Sequence, residues 1–135
     1  MGVINAFAER FRQVLAESGR ATHVSPTELL DRWDGFVVLC EEGYEDNIYE
    51  YNNDLSVRDA IDSVLRDGRL REFDQWQWFK EQVDAIDARF RAVTYPEPVR
   101  GGADWPWWRA HVPARAGSEL AADLHSRYGV VVSVV

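Results

Sequence analysis

Apolar side chains recur at steps of three and four residues along most of the chain, and this spacing places side chains on one face of an α-helix. The pattern predicts a first helix over about 3–18 and the longest helix over about 70–92. In the longest helix six large apolar residues keep this rhythm: Phe73, Trp76, Phe79, Val83, Ile86 and Phe90. Each of these helices is expected to turn one face to a core and the other to water.

The second predicted helix has a start signal that can be read residue by residue. Ser25 can cap it, Pro26 suits its first turn, and Glu28 can close a capping box. Over FVVLC, residues 36–40, the helix is apolar on all sides, which is typical of a central element with several neighbours. Gly43 is expected to end it.

The segment over 41–55 is acidic, and we call it the acidic segment. We expect it to form a short helix, followed by another helix over 56–67. A last helix is predicted over about 114–128, with Gly129 just after its end. In the acidic segment four residues are spaced to face inward, at steps of four, three and four: Tyr44, Ile48, Tyr51 and Leu55.

A long loop over 93–115 separates the last helix from the others, and it holds four of the five prolines. The whole pattern predicts an all-α fold, a compact single domain over 1–135 built as a bundle of five or six helices. Its parts are the main helices in 1–92, the aromatic loop in 93–115, and the last helix and tail in 116–135.

The tail, VVVSVV at 130–135, is apolar and β-prone, and it cannot make a sheet alone. We expect it either to tuck against the bundle or to pair with the same strand of a second copy, which would make a homodimer.

The amino-acid composition is that of a folded domain. Hydrophobic residues make up 46% of the 135 positions and include six tryptophans, which argues against intrinsic disorder. The single cysteine cannot form an internal disulfide, the apolar runs are too short to span a bilayer, and no signal peptide is visible. These features predict a cytoplasmic protein without a membrane segment.

The net charge of −8 is concentrated in one segment. Residues 41–67 hold nine acids and two arginines, whereas the rest of the chain holds fourteen acids and thirteen bases. Direct binding of nucleic acid requires a basic face, so this distribution argues against it.

Residues that usually carry catalysis or bind metals are sparse. Cys40 lies inside an apolar run, which is typical of a core thiol rather than a nucleophile. His23, His111 and His125 are scattered and form no ligand-spaced pair, and no nucleotide-binding glycine motif is present. The sequence therefore predicts no catalytic residue, no metal site and no cofactor.

The acidic segment is the clearest candidate site. Glu42, Asp46, Glu50 and Asp54 are each four apart, and like charges at this spacing repel by about 0.2–0.5 kcal/mol a pair on a continuous helix. The segment is interpreted as a solvated helix face, as a docking face for a basic partner, or as a metal or catalytic carboxylate site. The docking interpretation predicts these partner-binding residues: Glu42, Asp46, Tyr49, Glu50, Asn53, Asp54 and Asp62.

A second candidate site lies in the aromatic loop. Trp105, Trp107, Trp108, Arg109 and His111 could line a pocket for a flat or apolar ligand. The competing interpretation is that the loop closes one end of the bundle by burying its tryptophans.

Three hypotheses on function follow from these patterns. The first is an acidic protein-binding module, an immunity- or antitoxin-type inhibitor that docks a basic partner such as a nuclease toxin through the 41–62 face. The second is a small-molecule-binding domain or enzyme that uses the Trp105–His111 loop. The third is a structural domain that self-associates through its tail.

Overall fold

In residues 6–20 and 24–135, which the computed structural model describes, the chain forms helices joined by short links and one long loop. The helices are α1 (Ala6–Glu17), α2 (Pro26–Glu42), α3 (Ile48–Leu65), α4 (Asp74–Ala92), the single turn α5 (Trp107–Ala110) and α6 (Ser118–Tyr128). Two short strands, β1 (Arg115–Ala116) and β2 (Ser133–Val134), complete the described elements. The predicted all-α bundle is confirmed.

The ends of α2 and α6 follow their local sequence signals. The Ser25 side chain accepts a hydrogen bond from the Glu28 amide, so the predicted cap of α2 is confirmed. Gly43 has a φ of 96° and Gly129 a φ of 69°, a range that glycine adopts without strain, and these two glycines follow α2 and α6.

Residues 48–55 of the acidic segment and residues 56–65 form one continuous helix, α3, so the expectation of a break before Ser56 was wrong. Asn47 caps α3 by accepting a hydrogen bond from the Glu50 amide at 2.9 Å. The Ser56 hydroxyl donates to the Asn53 carbonyl at 2.5 Å instead of capping a new helix. No proline or glycine lies between Ile48 and Leu65 to interrupt the backbone ladder.

Two other helix starts differ from the expected ones. The longest helix, α4, begins at Asp74, because Leu70–Glu72 forms a separate 3-10 turn. The last helix, α6, begins at Ser118 rather than near residue 114, because β1 occupies the residues before it. The expected start of the first helix at residue 3 lies outside the described residues.

The core centres on α2, which packs against both α3 and α4. Trp33 and Phe36 stack with their ring centroids 5.7 Å apart, and Phe90 of α4 lies 5.2 Å from Trp33. The four residues of the acidic segment that were expected to face inward are all buried: Tyr44, Ile48, Tyr51 and Leu55.

A buried ion pair lies beside this core and joins three helices. Arg58 of α3 donates two hydrogen bonds of 2.9 Å to the carboxylate of Asp87 on α4. The indole of Trp33 donates to the same carboxylate at 3.0 Å. The guanidinium carbon of Arg58 lies 4.4 Å from the ring of Trp108 and 5.7 Å from that of Trp107, so the aromatic loop covers the pair.

The tail pairs inside its own chain. The strands β1 and β2 are parallel, and the amides of Ser133 and Val135 donate to the carbonyls of Ala114 and Ala116, each at 2.9 Å. On its other side Ala116 forms a bridge to Tyr44. Self-association through the tail stays a prediction, and so does the cytoplasmic location. Among the described helices, none has the length and apolar character needed to cross a membrane.

We expect Arg58→Met to lower the free energy of unfolding by about 3–5 kcal/mol, because it leaves the Asp87 carboxylate charged and buried without its cation. Arg58→Met combined with Asp87→Leu should lose less than Arg58→Met alone, since the double variant buries no charge. Urea unfolding followed by tryptophan fluorescence measures both. A loss below about 1 kcal/mol for the single variant, as at an exposed pair, would contradict the role given to this interaction.

Candidate functional site

The exposed acids of the 41–67 segment gather where α2 ends and α3 begins. Glu42 is the last residue of α2, Glu45 and Asp46 lie in the link, and Glu50 lies in the first turn of α3. All four side chains are exposed, and none forms an ion pair with a side chain in 6–20 or 24–135. We call these four residues, together with Tyr49, the acidic surface.

The other acids of the segment have partners inside the chain. Arg89 on α4 binds Glu41 at 2.8 Å, and this contact holds the pKa of the Glu41 carboxyl below its usual value. The carboxylate of Asp59 accepts from Arg109 and from the Trp108 indole. The acids of this segment therefore divide into a group with internal partners and a group that faces only solvent.

Two of the predicted partner-binding acids have internal contacts of this kind. Asp54 is half-buried and accepts a hydrogen bond of 2.7 Å from the Tyr44 hydroxyl. Asp62 pairs with Arg66 at 2.7 Å and lies twelve residues after Glu50, roughly 18 Å along the helix axis. The structure therefore places Glu42 and Asp46 on one cleft with Asp54, leaves Tyr49, Glu50 and Asn53 exposed on α3, and separates Asp62 from them.

The tyrosines of the segment have two environments. Tyr44 and Tyr51 are buried, and burial raises the pKa of both hydroxyls, assisted at Tyr44 by the bond to Asp54. Tyr49 is 71% exposed, and the guanidinium of Arg127 on α6 lies 5.5 Å from its ring. Tyr49 is thus the one tyrosine of this segment whose ring is available to a partner.

Two clefts border the acidic surface and share Leu39 and Asp54. The larger, about 630 Å³, lies among the end of α1, α2 and α3. The smaller, about 470 Å³, is lined by residues 39, 42–46 and 54, and so includes Glu42, Glu45 and Asp46.

Leu39 and Glu45 belong to this region and were not among the predicted partner-binding residues. Leu39 is 48% exposed, although FVVLC was expected to be apolar on all sides for internal packing. On a helical projection of α2, Leu39 lies roughly 90° from the centre of the stripe of Trp33, Phe36 and Cys40, so the projection alone does not assign it to the core or to the surface.

In the aromatic loop, all five predicted pocket residues make internal contacts. The Trp107 ring lies 3.7 Å from the guanidinium carbon of Arg91 and also contacts Arg58. Trp108 is buried, Arg109 pairs with Asp59, and Nδ1 of His111 lies 2.9 Å from the Tyr95 carbonyl. Trp105 is 41% exposed and packs edge-on against Tyr128. These contacts are those expected of a loop that closes the bundle, and the ligand pocket stays a prediction.

The residues considered for metal binding or nucleophilic catalysis are separated. Cys40 is buried, and burial raises the pKa of its thiol. His111 has its backbone partner, His125 is exposed on α6, and His23 lies outside the described residues. Across 6–20 and 24–135, no three His, Cys, Asp or Glu side chains gather in a way that could hold a metal ion.

The acidic surface is chemically able to bind cationic groups. Its four carboxylates have no cationic partner in the described part of the chain, and the exposed ring of Tyr49, next to Glu50, offers apolar area and a face for a cation. Comparison of the chain with protein-family models, with curated proteins and with solved structures finds no match.

Asp67 provides a test of how the internally paired acids differ from the acidic surface. Arg10 on α1 donates hydrogen bonds of 2.6 and 3.1 Å to it, and these bonds hold the pKa of the Asp67 carboxyl below its usual value. In the unfolded chain an aspartate carboxyl has a pKa of about 3.9. A carboxyl whose pKa is lower in the folded state stabilises the fold at pH values above the unfolded-state pKa, and that contribution is lost as pH falls through the folded-state pKa.

We therefore expect Asp67→Asn to lower the free energy of unfolding by about 1–3 kcal/mol at neutral pH, with the deficit shrinking as pH falls below about 4. Urea unfolding across this pH range measures it. Glu42→Gln is the matched control, because Glu42 has no ion-pair partner among the described residues and its replacement should change stability little at any pH. A deficit for Asp67→Asn that does not depend on pH would contradict the assignment.

Proposed function

We propose that the chain is an acidic protein-binding module that docks a basic protein through the acidic surface, in the manner of an immunity- or antitoxin-type inhibitor. The observation that carries the proposal is the group of four exposed carboxylates that have no cationic partner within residues 6–20 and 24–135, in the same stretch of chain as the exposed ring of Tyr49. Elsewhere in the same segment, acids that face other helices are matched with arginines. A surface shaped by stability alone would interleave bases with these acids as well.

The acidic surface affects how fast a partner associates and in which orientation it binds. A net charge of −8, concentrated in one segment, attracts a basic protein over distances of about a Debye length and raises the association rate. Once the surfaces meet, charge complementarity sets their relative orientation. Aromatic side chains are enriched among the residues that carry binding energy, and Tyr49 is 71% exposed in the first turn of α3, next to Glu50.

The class of partner follows from the same chemistry. A nuclease binds the phosphates of its substrate in a positively charged cleft. A protein surface with several unpaired carboxylates can occupy that cleft and exclude the nucleic acid, without any catalytic group of its own. A nuclease toxin is therefore the partner that this surface suits best.

We expect Glu42→Lys combined with Glu45→Lys to weaken binding of the basic partner by about tenfold or more, with a larger effect at low salt. The partner is first isolated by affinity capture on the immobilised chain and identified by mass spectrometry, and its affinity is then measured by titration calorimetry. Both replaced side chains are exposed and unpaired, so the variant should keep its fold.

The matched control is Glu97→Lys combined with Asp104→Lys, which makes the same change of net charge at two exposed acids of the aromatic loop. It should bind nearly as well as the natural chain. Equal losses for the two double variants would mean that net charge alone, not the acidic surface, governs binding. If the partner is a nuclease, one equivalent of the chain should abolish its activity, and a fully active complex would contradict the inhibitor proposal.

A second candidate function is self-association through the tail. Val131 is 75% exposed and Val134 60% exposed, and the outer edge of β2 pairs with no strand among the described residues. Such an edge can accept a strand from a second copy.

We expect Val131→Lys combined with Val134→Lys to convert a dimer into a monomer, because charges on an edge strand oppose strand pairing. Light scattering at high protein concentration measures the mass of both proteins. A natural chain that is already monomeric under these conditions would contradict self-association.

A further inference from the structure

The two clefts beside the acidic surface meet along α2 and α3, and they differ in character. Both are lined by Leu39 and Asp54. The larger continues along α2 toward its N-terminal half, and its walls combine apolar residues such as Phe36 and Val57 with charged ones such as Arg20 and Arg32. The smaller is lined by Glu42 and its neighbours in the link. We call the two clefts together the α2–α3 groove, which has a mixed half beside Gly35 and an acidic half beside Glu42.

Gly35 lines the mixed half of this groove, and no contact within residues 6–20 and 24–135 requires a glycine there. It is the tenth of the seventeen residues of α2, where glycine stabilises a helix less than alanine does. Its φ is not positive, so its backbone conformation suits any residue. A Cβ built on it would meet no described atom within 4 Å.

A glycine that costs helix stability and makes room for nothing in its own chain is explained by something that approaches from outside. Only hydrogen covers the Gly35 backbone on this side of α2, so a partner's main chain or side chain can lie directly against the helix. Leu39 follows one turn later and is 48% exposed, and Glu42 follows three residues after that. The exposed strip of α2 therefore passes from small to apolar to acidic.

We infer that the α2–α3 groove receives one segment of the basic partner, which places an apolar side chain between Gly35 and Leu39 and lysine or arginine side chains at the acidic half. The inference rests on the proposed function and names the part of the partner that is bound. Charge complementarity selects this occupant, because Glu42, Glu45 and Asp46 have no cation among the described residues.

The geometry also sets the spacing of the segment. Gly35 and Glu42 are seven residues apart on α2, which corresponds to roughly 10 Å along the axis. A partner segment covers that distance with about three residues when extended, or with about seven when helical. The charged residues that line the larger cleft, Arg20, Asp31, Arg32 and Asp54, sum to no net charge, so the net charge of the groove comes from Glu42, Glu45 and Asp46 in its acidic half.

The test selects phage-displayed random 16-residue peptides on the intact chain and then measures the affinity of the enriched peptide by fluorescence anisotropy. The expected consensus is an apolar residue with lysine or arginine three or seven positions away. Failure to enrich any peptide, or enrichment of peptides without basic residues, would overturn the inference.

Two substitutions at Gly35 then separate binding from folding. Gly35→Gln should weaken peptide binding by about tenfold or more, because its side chain fills the groove. Its melting temperature should stay the same or rise, because glutamine is the better helix former. Gly35→Ala should raise the melting temperature and weaken binding less. Unchanged binding by Gly35→Gln would overturn the inference.

The same peptide measured on Glu42→Lys combined with Glu45→Lys distinguishes this inference from the proposed function. Loss of binding in both this variant and Gly35→Gln supports the groove as described. Loss of basic-partner binding in the charge-reversed variant alone would leave the acidic surface as the docking site and overturn the groove. Loss in Gly35→Gln alone would overturn the basic character of the occupant.

Discussion

The buried pair of Arg58 and Asp87 is the interaction that sets the arrangement of the other elements. Two charges removed from water are stabilising only when their geometry is good and their remaining polar atoms are satisfied. Asp87 meets this condition by accepting from Arg58 on α3 and from Trp33 on α2. Nη1 of Arg58 has no hydrogen-bond partner among the described residues, and the guanidinium faces the Trp108 indole of the aromatic loop instead. Any rotation of α3 about its axis would break this set. The direction in which the first turn of α3 presents Tyr49 and Glu50 is fixed as a consequence.

The acids of α3 and its neighbouring elements fall into two groups, according to whether the side chain faces another element or solvent. Those facing other elements form long-range links, such as Asp67 with α1 and Asp59 with the aromatic loop. Those facing solvent lie at the end of α2 and the start of α3 and have no cationic partner among the described residues. Proteins tolerate local departures from the most stable sequence where a surface has a task beyond folding. The carboxylates of the acidic surface therefore differ from those of Glu41, Asp59 and Asp67 in the same 41–67 segment in having no cation among the described residues.

The sequence predicted those parts of the structure that depend on neighbouring residues. The cap at Ser25, the end of α2 at Gly43 and the inward stripe of the acidic segment are local, and all three are as expected. The continuity of α3 was missed because Ser56 is as compatible with a helix interior as with a cap. The arginine partners of Glu41, Asp59 and Asp67 lie 48 to 57 residues away, so no spacing rule could assign them. The exposure of Leu39 depends on which sides of α2 have neighbours, and local sequence does not determine that.

Cys40 has a consequence that concerns how the molecule opens rather than how it binds. It is the single cysteine of the chain, and its thiol lies in the core under the strip of α2 that borders the groove. Burial raises the pKa of this thiol, so a thiol-reactive reagent gains access only when α2 separates transiently from its neighbours. The rate at which this sulfur is chemically modified therefore reports how often the centre of the bundle opens transiently. A molecule seated on α2 would slow that modification without touching the sulfur.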